Sequence, residues 1–310
     1  MAMSKSLQKE LLAVAGNGVQ WDCPLAPYTS FGIGGPADAL VVVETSKKLG
    51  ELLDFFKRTD ICWHLIGRGS NLLVADAGFT GVVLLLGKGL SEIEDLTGPD
   101  AESVQVRAGA GCSLAKLLNW CTDRGYSGLE FATGIPGSLG GAVVMNAGAQ
   151  GEEIGGLIGA VEVISQAEGN EKLSRDKLEF SYRNWVNQGD YESKRMVLFV
   201  ELSLKRQEKE KIRNRCRENL QMRKEKQPKV EKNAGSFFKN PNGDSAGRLI
   251  DVSGLKGRSY GGAMVSPVHG NFLVNTGSAT AEDVCHLMDI VTKKVREDSG
   301  IQLFPEVHFL

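Results

Sequence analysis

Three clusters of glycine could hold a phosphate-bearing ligand through the protein backbone. Residues 31–36 read FGIGGP, residues 67–70 read GRGS, and nine of the 26 residues from 134 to 159 are glycine. Glycine adopts positive φ angles and lets backbone N–H groups approach a ligand, which is how loops and helix N-termini bind a pyrophosphate. Tight turns and close packing of strands are the alternative for any one cluster. Three clusters in one half of the chain favour a nucleotide site.

The common glycine motifs for nucleotides are not found in this sequence. The segment GAGCSL at 109–114 lacks the third glycine of the dinucleotide-binding fingerprint. The segment GKG at 87–89 lacks the Ser or Thr that follows the lysine of a Walker loop. Glycines in another arrangement are therefore expected to bind the nucleotide.

The elements that must position these loops are indicated by hydrophobic spacing. Ser46–Thr59 has leucine and phenylalanine at helical spacing behind a serine cap, and a strand follows at 62–66, which makes an αβ unit. Residues 113–124 predict a second amphipathic helix. Short strands are predicted at residues 72–74, 82–86, 104–108 and 161–164. No period of 20–50 residues repeats, which excludes solenoids and propellers.

The composition is that of an ordinary globular protein. The 310 residues are 42% apolar and 24% charged with a net charge of −2, which excludes a disordered chain and bulk nucleic-acid binding. The length is sufficient for two domains. Glycine is the outlier, because 38 of 310 residues is about 12%, against an average near 7%.

The cysteines and the hydropathy of the chain indicate its cellular compartment. The six cysteines form no CxxC pair and no Cys/His cluster, so neither a metal site nor a disulfide framework is predicted. They are Cys23, Cys62, Cys112, Cys121, Cys216 and Cys285. The first 20 residues are too charged for a secretory signal, and no apolar run approaches the ~20 residues of a transmembrane helix. We expect a cytoplasmic protein with reduced thiols and no membrane span.

A basic segment interrupts this near-neutral chain at residues 205–232. It contains twelve Lys or Arg and five Asp or Glu, a local charge of +7. The pattern predicts a helix at 205–226 that breaks at Gln227-Pro228. A solvated helix face is the ordinary explanation of such a run, and an anionic substrate is the other. RNA is disfavoured because no aromatic residues interleave with the basic ones.

Long segments of the chain, in order, resemble one enzyme family. They are PYTSFGIGGPAD (27–38), IGRGSNLLVADAGFTGVV (66–83), GLEFATGIPGSLGGAVVMNAGAQGEEI (128–154), YRN (182–184), NAGSFFKNP (233–241) and PEV (305–307). The sequence is similar, over nearly its whole length, to the UDP-N-acetylenolpyruvoylglucosamine reductases, the MurB family. Residues 182–236 contain no long tyrosine-bearing insertion, so the resemblance is to the shorter, second type of the family. In that type another residue must close over the substrate, and the sequence does not identify it.

The resemblance implies a fold, a reaction and two cofactors. It implies an α+β chain with a two-lobed FAD-binding region of the vanillyl-alcohol oxidase and p-cresol methylhydroxylase type at 1–205, with lobes at about 1–70 and 71–205. A C-terminal α/β substrate-binding domain is then expected at 206–310. The family uses NADPH and non-covalently bound FAD to reduce the enolpyruvyl ether of UDP-N-acetylglucosamine to UDP-N-acetylmuramate, in peptidoglycan synthesis. A monomer with a small-molecule substrate is expected.

The family motifs also imply which residues contact the ligands. The expected FAD-binding residues are Tyr28, Gly34, Gly67, Arg68, Gly69, Ser70, Asn71, Leu72, Gly134, Ile135, Pro136, Gly137, Ser138, Gly140, Gly141, Asn146 and Gly148. The expected substrate-binding residues are Tyr182, Arg223, Lys226, Lys239 and Asn240. The last four are expected near the diphosphate and the uracil.

Reduction of an enolpyruvyl double bond needs a hydride, a proton and stabilisation of an enolate-like charge. Flavin supplies the hydride, since no side chain can. Residue chemistry alone favours His269 as the proton donor, because the pKa of serine is far too high for ordinary acid catalysis. The resemblance instead assigns the proton to Ser236 and leaves His269 a structural or exposed imidazole.

Two charged residues complete the catalytic set that the resemblance implies. The guanidinium of Arg183 suits the substrate carboxylate as a second charge develops, although a surface ion pair is the ordinary role of such an arginine. Glu306 must be protonated, or orient the proton relay, to help an enolate, so a buried setting with a raised pKa is expected.

Two other functions are compatible with these patterns. One is a different flavoenzyme on the same cofactor-binding fold, such as an alcohol or sugar oxidase, whose reduced flavin would react with oxygen and which would not need Ser236. The other is a non-catalytic protein that binds nucleotide sugars, which would be colourless when purified.

Overall fold

The computed structural model describes residues 3–16, 18–98, 103–189, 195–229 and 232–310. Its α-helices are α1 (Lys5–Ala15), α2 (Ser46–Thr59), α3 (Leu114–Arg124), α4 (Leu139–Val144), α5 (Lys209–Lys226), α6 (Ala246–Val252) and α7 (Ala281–Ser299). Its strands are β1 (Val19–Pro24), β2 (Pro36–Val43), β3 (Trp63–Ile66), β4 (Leu72–Leu73), β5 (Phe79–Leu86), β6 (Ile93–Asp95), β7 (Ser103–Gly109), β8 (Tyr126–Ser127), β9 (Gly148–Ala149), β10 (Glu152–Glu153), β11 (Ile158–Ser165), β12 (Gly169–Ser174), β13 (Phe180–Ser181), β14 (Asn184–Trp185), β15 (Met196–Arg206), β16 (Ser259–Tyr260), β17 (Ala263–Val265), β18 (Leu273–Asn275) and β19 (His308–Phe309).

The chain divides into two compact units, and it passes between them several times. The first unit contains Met1–Trp21, Ala39–Arg68 and Gly81–Gln221. The second contains Asp22–Asp38, Gly69–Thr80 and Met222–Leu310. Two short glycine-bearing segments from the first quarter of the sequence therefore belong to the same unit as the C-terminal residues. The domain boundary expected at 205/206 stays a prediction.

A four-stranded sheet with α1 and α2 forms one core of the first unit. The strand order is β1-β2-β5-β3, and β3 runs parallel to β5. The leucines and phenylalanines of α2 are buried against the sheet, as their helical spacing predicts. The helix is capped by Thr45, whose hydroxyl accepts a hydrogen bond from the Lys48 N–H at 3.2 Å, and not by Ser46.

An antiparallel sheet with α3 and α4 forms the other core of the first unit. The strand order is β12-β11-β15-β7-β6, and β8 also pairs with β15. Alternate residues of β7, β11 and β15 are buried together with the apolar face of α3. Ser113 caps α3, because its hydroxyl accepts a hydrogen bond from the Lys116 N–H. The two predicted helices and all the predicted short strands are present.

The basic helix begins later than its charge pattern predicts. Lys205 and Arg206 are the last residues of β15, where they pair with Ser127 and Tyr126 of β8. The helix α5 covers Lys209–Lys226. The expected start at residue 205 is therefore wrong, since the backbone hydrogen bonds of these two residues are used in the sheet. The predicted end at Gln227 is confirmed.

The second unit is built on α6, α7 and small sheets. Strands β16, β17 and β18 form an antiparallel sheet, and β19 pairs in parallel with β4. Its core contains Phe31, Ile33 and Leu73 from the early segments together with apolar residues between 234 and 307. Among the described residues, no helix is long and apolar enough to cross a membrane.

Asp76 ties an early segment of this second unit to the start of α7. Its carboxylate oxygens accept hydrogen bonds from the backbone N–H groups of Ala281, at 2.8 Å, and Glu282, at 3.0 Å. These N–H groups have no partner inside the helix, and the helix dipole favours a negative charge there.

We expect Asp76→Ala to lower the free energy of unfolding by about 1.5–3 kcal/mol, the range for lost hydrogen bonds to a charged group. Urea denaturation followed by circular dichroism measures this. The control is Asp54→Ala, which removes an exposed carboxylate from α2 and is expected to change stability by less than ~0.5 kcal/mol. Equal effects of the two variants would show that the cap of α7 does not stabilise the fold.

Candidate active site

The loop after β3 presents a run of backbone donors. Within the part of the chain that the structure describes, the N–H groups of Gly67, Arg68, Gly69 and Ser70 make no hydrogen bond. Gly67 and Arg68 are exposed, and Ser70 is half-buried. Backbone N–H groups that remain available in a glycine-rich loop are suited to bind an anion such as a pyrophosphate.

Gly69 lies so close to the backbone of residue 28 that only glycine fits. A Cβ atom at Gly69 would lie 2.0 Å from the carbonyl oxygen of Tyr28, and the φ angle of Gly69 is +59°. The Gly69 carbonyl also accepts a hydrogen bond from the Ser30 N–H at 3.0 Å. At Gly34, with φ +146°, a Cβ would lie 2.8 Å from that of Val74. The second unit therefore brings Tyr28, Gly34 and Gly69 together.

The first unit brings Gly67 against the start of α4. A Cβ atom at Gly67 would lie 2.4 Å from the hydroxyl oxygen of Ser138, the residue that caps α4. The N–H groups of Gly134, Gly137 and Ser138 have no hydrogen bond among the described residues. The missing Cβ atom lets the Ser138 hydroxyl pack against residue 67, and the unused N–H groups beside it are suited to a phosphate-bearing ligand.

Other predicted cofactor residues of this segment have packing roles. The first N–H groups of α4 are used inside the protein, since Leu139 donates to the Cys112 carbonyl and Gly140 to that of Ala110, both at 2.8 Å. A Cβ atom at Gly140 would lie 2.9 Å from that of Ala110. At Gly148 it would lie 2.3 Å from the Glu152 carbonyl oxygen. Ile135 is half-buried, and Pro136 and Gly141 are exposed.

The side chain of Asn146 is fully used inside the protein. It is 2% exposed. Its Oδ1 accepts a hydrogen bond from the Gly155 N–H at 3.0 Å, and its Nδ2 donates to Glu153 at 2.6 Å and to the Ser181 carbonyl at 3.0 Å. Any contact of this residue with a cofactor would therefore use its backbone.

Ser236 and Glu306 lie on two adjacent backbone segments of the second unit. The Phe237 carbonyl accepts a hydrogen bond from the Glu306 N–H at 2.8 Å, and Phe238 forms a bridge with Pro305. Ser236 and Glu306 are both half-buried, and the Oε2 atom of Glu306 is shielded from solvent. Within the described residues the Ser236 hydroxyl makes no hydrogen bond, so it is available to a ligand.

Two asparagines hold these segments in place. The amide of Asn271 is bonded to both backbone groups of Phe238, accepting from its N–H and donating to its carbonyl, each at 2.8 Å. The amide of Asn71 donates to the Glu306 carbonyl at 3.0 Å, and the Asn71 carbonyl accepts from the His308 N–H at 3.0 Å. Asn271 was not predicted, and its only signal is a polar residue within the apolar run GNFLVN.

Arg183 lies in the two-residue turn between β13 and β14 of the first unit. Its φ angle is +56°, a left-handed conformation that is uncommon for residues other than glycine. The guanidinium carbon is 4.9 Å from the ring centre of Tyr182, which is 45% exposed. Backbone strain of this kind clusters at functional sites, where surrounding contacts hold it.

Several cations of α5 form ion pairs with nearby carboxylates. Arg213 pairs with Asp123 and Glu210, and Arg215 with Glu130 and Glu152. These ion pairs support the interpretation of the basic segment as a solvated helix face.

Arg223 is half-buried and has no ion pair among the described residues. Burial lowers the pKa of its guanidinium. Lys226 and Lys239 are exposed, and the Asn240 amide oxygen accepts a hydrogen bond from the Ala246 N–H at 3.1 Å.

His269 has a structural role in the second unit. Its Nδ1 accepts a hydrogen bond from the Asn271 N–H at 3.1 Å, and its ring packs edge-on against Phe272. Burial lowers the pKa of the imidazole, which favours the neutral form. These contacts therefore do not support His269 as the proton donor that side-chain chemistry alone favours.

Comparison with known proteins identifies the family. Residues 227–310 match the profile of the UDP-N-acetylenolpyruvoylglucosamine reductase C-terminal domain, and residues 37–170 match an FAD binding domain. The chain is 41% identical over 306 residues to the UDP-N-acetylenolpyruvoylglucosamine reductase of Bacillus pumilus, covering 99% of this chain and 98% of the relative. The chain belongs to the UDP-N-acetylenolpyruvoylglucosamine reductase family.

Further relatives agree with this assignment. The reductase of Bacillus subtilis is 42% identical over 289 residues, covering 93% of this chain and 92% of the relative. The crystal structure of the Thermus caldophilus UDP-N-acetylenolpyruvylglucosamine reductase has a TM-score of 0.77 and 39% identity, and covers 94% of this chain and 97% of its own. The predicted α+β fold, with an FAD-binding region before a C-terminal domain, is confirmed. The chain is an FAD-dependent oxidoreductase of peptidoglycan synthesis.

The close approach at Gly69 yields a test of the cofactor site. In Gly69→Ala the added Cβ must displace the Tyr28 carbonyl. If this displacement costs at least ~1.4 kcal/mol, FAD binds about tenfold more weakly or worse, which is the result we expect. The control is Gly254→Ala, which has a similar φ of +68° but no atom within 4 Å of the added Cβ. Flavin absorbance after dialysis measures occupancy. Equal loss of FAD in the two variants would assign the effect to backbone strain and not to the loop.

Proposed function

We propose that the protein uses NADPH and FAD to reduce the enolpyruvyl ether of UDP-N-acetylglucosamine, with Ser236 as proton donor and Arg183 and Glu306 stabilising the enolate. The observation that carries this proposal is the available Ser236 hydroxyl, one residue from the Phe237 carbonyl that binds the Glu306 N–H. We also propose a cytoplasmic monomer whose FAD-binding region extends over 1–205 and whose substrate-binding domain extends over 206–310.

FAD, when bound, carries the hydride that NADPH supplies and that the substrate receives. The residues present fit such a group, since the unused N–H groups of Gly67, Gly134, Gly137 and Ser138 in the first unit can hold its pyrophosphate. The expected FAD contacts of Tyr28, Gly34, Asn71 and Leu72 are proposed on the same grounds, through the close packing of their segments in the second unit.

The remaining catalytic work belongs to the side chains. The forked guanidinium of Arg183 binds the substrate carboxylate and stabilises the second charge as it develops on that group. The Ser236 hydroxyl donates a proton to the carbon that bears the carboxylate. Glu306, in its protonated form, stabilises the enolate or resupplies the proton to serine.

A substrate diphosphate would offset the partial burial of Arg223 on α5. Burying a guanidinium without an acidic partner is costly, and an anionic ligand offsets that cost. Arg223 meets this description. We propose that Arg223 binds the diphosphate, with Lys226, Lys239, Asn240 and Tyr182 contributing to nucleotide and sugar binding.

Ser236→Ala tests the proton donor. We expect NADPH to reduce the bound flavin at the normal rate and the substrate to reoxidise it about 10²–10⁴-fold more slowly, the usual contribution of a positioned acid. Stopped-flow absorbance of the flavin measures each half-reaction separately. Normal reoxidation by the substrate would exclude Ser236 as the donor. Rapid reoxidation by oxygen alone would instead support an oxidase.

Arg223→Gln tests the diphosphate site. Loss of a charge-assisted hydrogen bond worth ~1.5–3 kcal/mol is expected to raise the KM for the UDP-sugar by about 10–100-fold, with a smaller change in kcat. The matched control is Arg217→Gln, which removes the same charge from an exposed position of α5 and is expected to change KM less than about twofold. Equal increases in both variants would indicate a general effect of helix charge.

A further inference from the structure

Asn146 connects three parts of the first unit through one buried amide. Its partners are the backbone N–H of Gly155, the carboxylate of Glu153 and the backbone carbonyl of Ser181. The residue itself has a left-handed backbone with φ +40°, which Asn and Asp tolerate better than most side chains. An amide with every hydrogen bond satisfied in a buried site fixes the positions of its partners.

The Ser181 carbonyl is two residues from Arg183, on the hairpin that carries it. This hairpin has only two residue pairs, Phe180 with Trp185 and Ser181 with Asn184. Two-stranded hairpins this short are marginal on their own, so other contacts must fix the turn. Trp185, which is 1% exposed, anchors one strand in the core. The bond from Asn146 to Ser181 anchors the other strand, next to the turn.

The packing around Gly155 confines the same amide from its other side. A Cβ atom at Gly155 would lie 2.7 Å from Oδ1 of Asn146 and 2.9 Å from the ring of Phe180. Phe180 is the first residue of the hairpin. The amide, Gly155 and the hairpin are therefore packed too tightly for one to move without the others.

We propose that Asn146 is a positioning residue for Arg183, so that its amide sets where the guanidinium meets the substrate carboxylate. This inference rests on the proposed function of Arg183 and adds a second role to a residue expected only to bind FAD. A displacement of about 1 Å at a binding group can cost ~10²-fold in rate. Loss of the amide is thus expected to slow the step in which Arg183 acts.

The test is a double-mutant cycle on the enzyme with FAD bound. Asn146→Asp keeps the shape, the tolerance for positive φ and the acceptor for Gly155, but it removes the donor to Ser181 and Glu153 and places a second carboxylate beside that of Glu153. We expect it to slow reoxidation of the reduced flavin by the substrate about 10–100-fold in the native background and less than about threefold in the Arg183→Ala background. Reduction by NADPH and FAD content are expected to be unchanged in both.

Gly155→Ala displaces the Asn146 amide but leaves the Asn146 side chain chemically unchanged. It provides a second test if Asn146→Asp does not fold. It is expected to show the same pattern in the two backgrounds. The matched control is Asn219→Asp, because the Asn219 amide is also buried and donates to a backbone carbonyl, that of Glu130, at 2.7 Å. We expect this control to leave the rate of reoxidation within about twofold of the native enzyme.

The outcomes separate two failures. If Arg183→Ala itself leaves reoxidation by the substrate unchanged, the proposed role of Arg183 is wrong, and with it this inference. If Arg183→Ala slows reoxidation but Asn146→Asp and Gly155→Ala slow it equally with and without Arg183, or not at all, only the positioning role is overturned. Loss of FAD in both Asn146→Asp and Gly155→Ala would overturn it in favour of cofactor binding.

Discussion

The hydrogen bonds of Asn71 to the C-terminal strand are the constraint on which the proposed chemistry depends. The Asn71 amide binds the Glu306 carbonyl, and the Asn71 carbonyl binds the His308 N–H. Beyond this pair, β19 runs parallel to β4 with His308 beside Leu72, so residues 236 positions apart in sequence share one backbone ladder. Asn71, which directly follows the glycine loop, therefore holds the backbone segment that carries Glu306, the residue proposed to stabilise the enolate.

Polar side chains bonded to the backbone recur throughout both units. Asn271 holds the segment after Ser236, Asn146 holds the hairpin of Arg183, and Asp76 holds the start of α7. Such bonds fix irregular segments that lack the long ladders of a sheet, at the cost of burying groups that must stay satisfied. Arg183, two residues after the Ser181 carbonyl that Asn146 binds, has a left-handed backbone conformation.

Sequence reasoning predicted the elements and the motif residues better than the contacts between them. Helical spacing located α2, and the glycine clusters located the loops with unused donors, because both signals are local. The start of α5 was mispredicted because pairing of Lys205 with Ser127 depends on a distant strand. The role of Asn271 and the bonds of Asn71 depend on segments far apart in sequence, which no local pattern reveals. Arg223 differs from Arg213 and Arg215 of α5 in having no ion pair among the described residues, which charge alone does not indicate.

Amide hydrogen exchange in Asn71→Ala tests the central claim most directly. If the Asn71 amide holds the segment that carries Glu306, the amides of Glu306 and His308 should exchange about fivefold faster than in the native protein, since one hydrogen bond is worth ~1 kcal/mol. Exchange in the interior of α7, measured in the same experiment, should not change. Unaltered exchange at Glu306 and His308 would contradict the account, because the segment that carries Glu306 would then be held without Asn71.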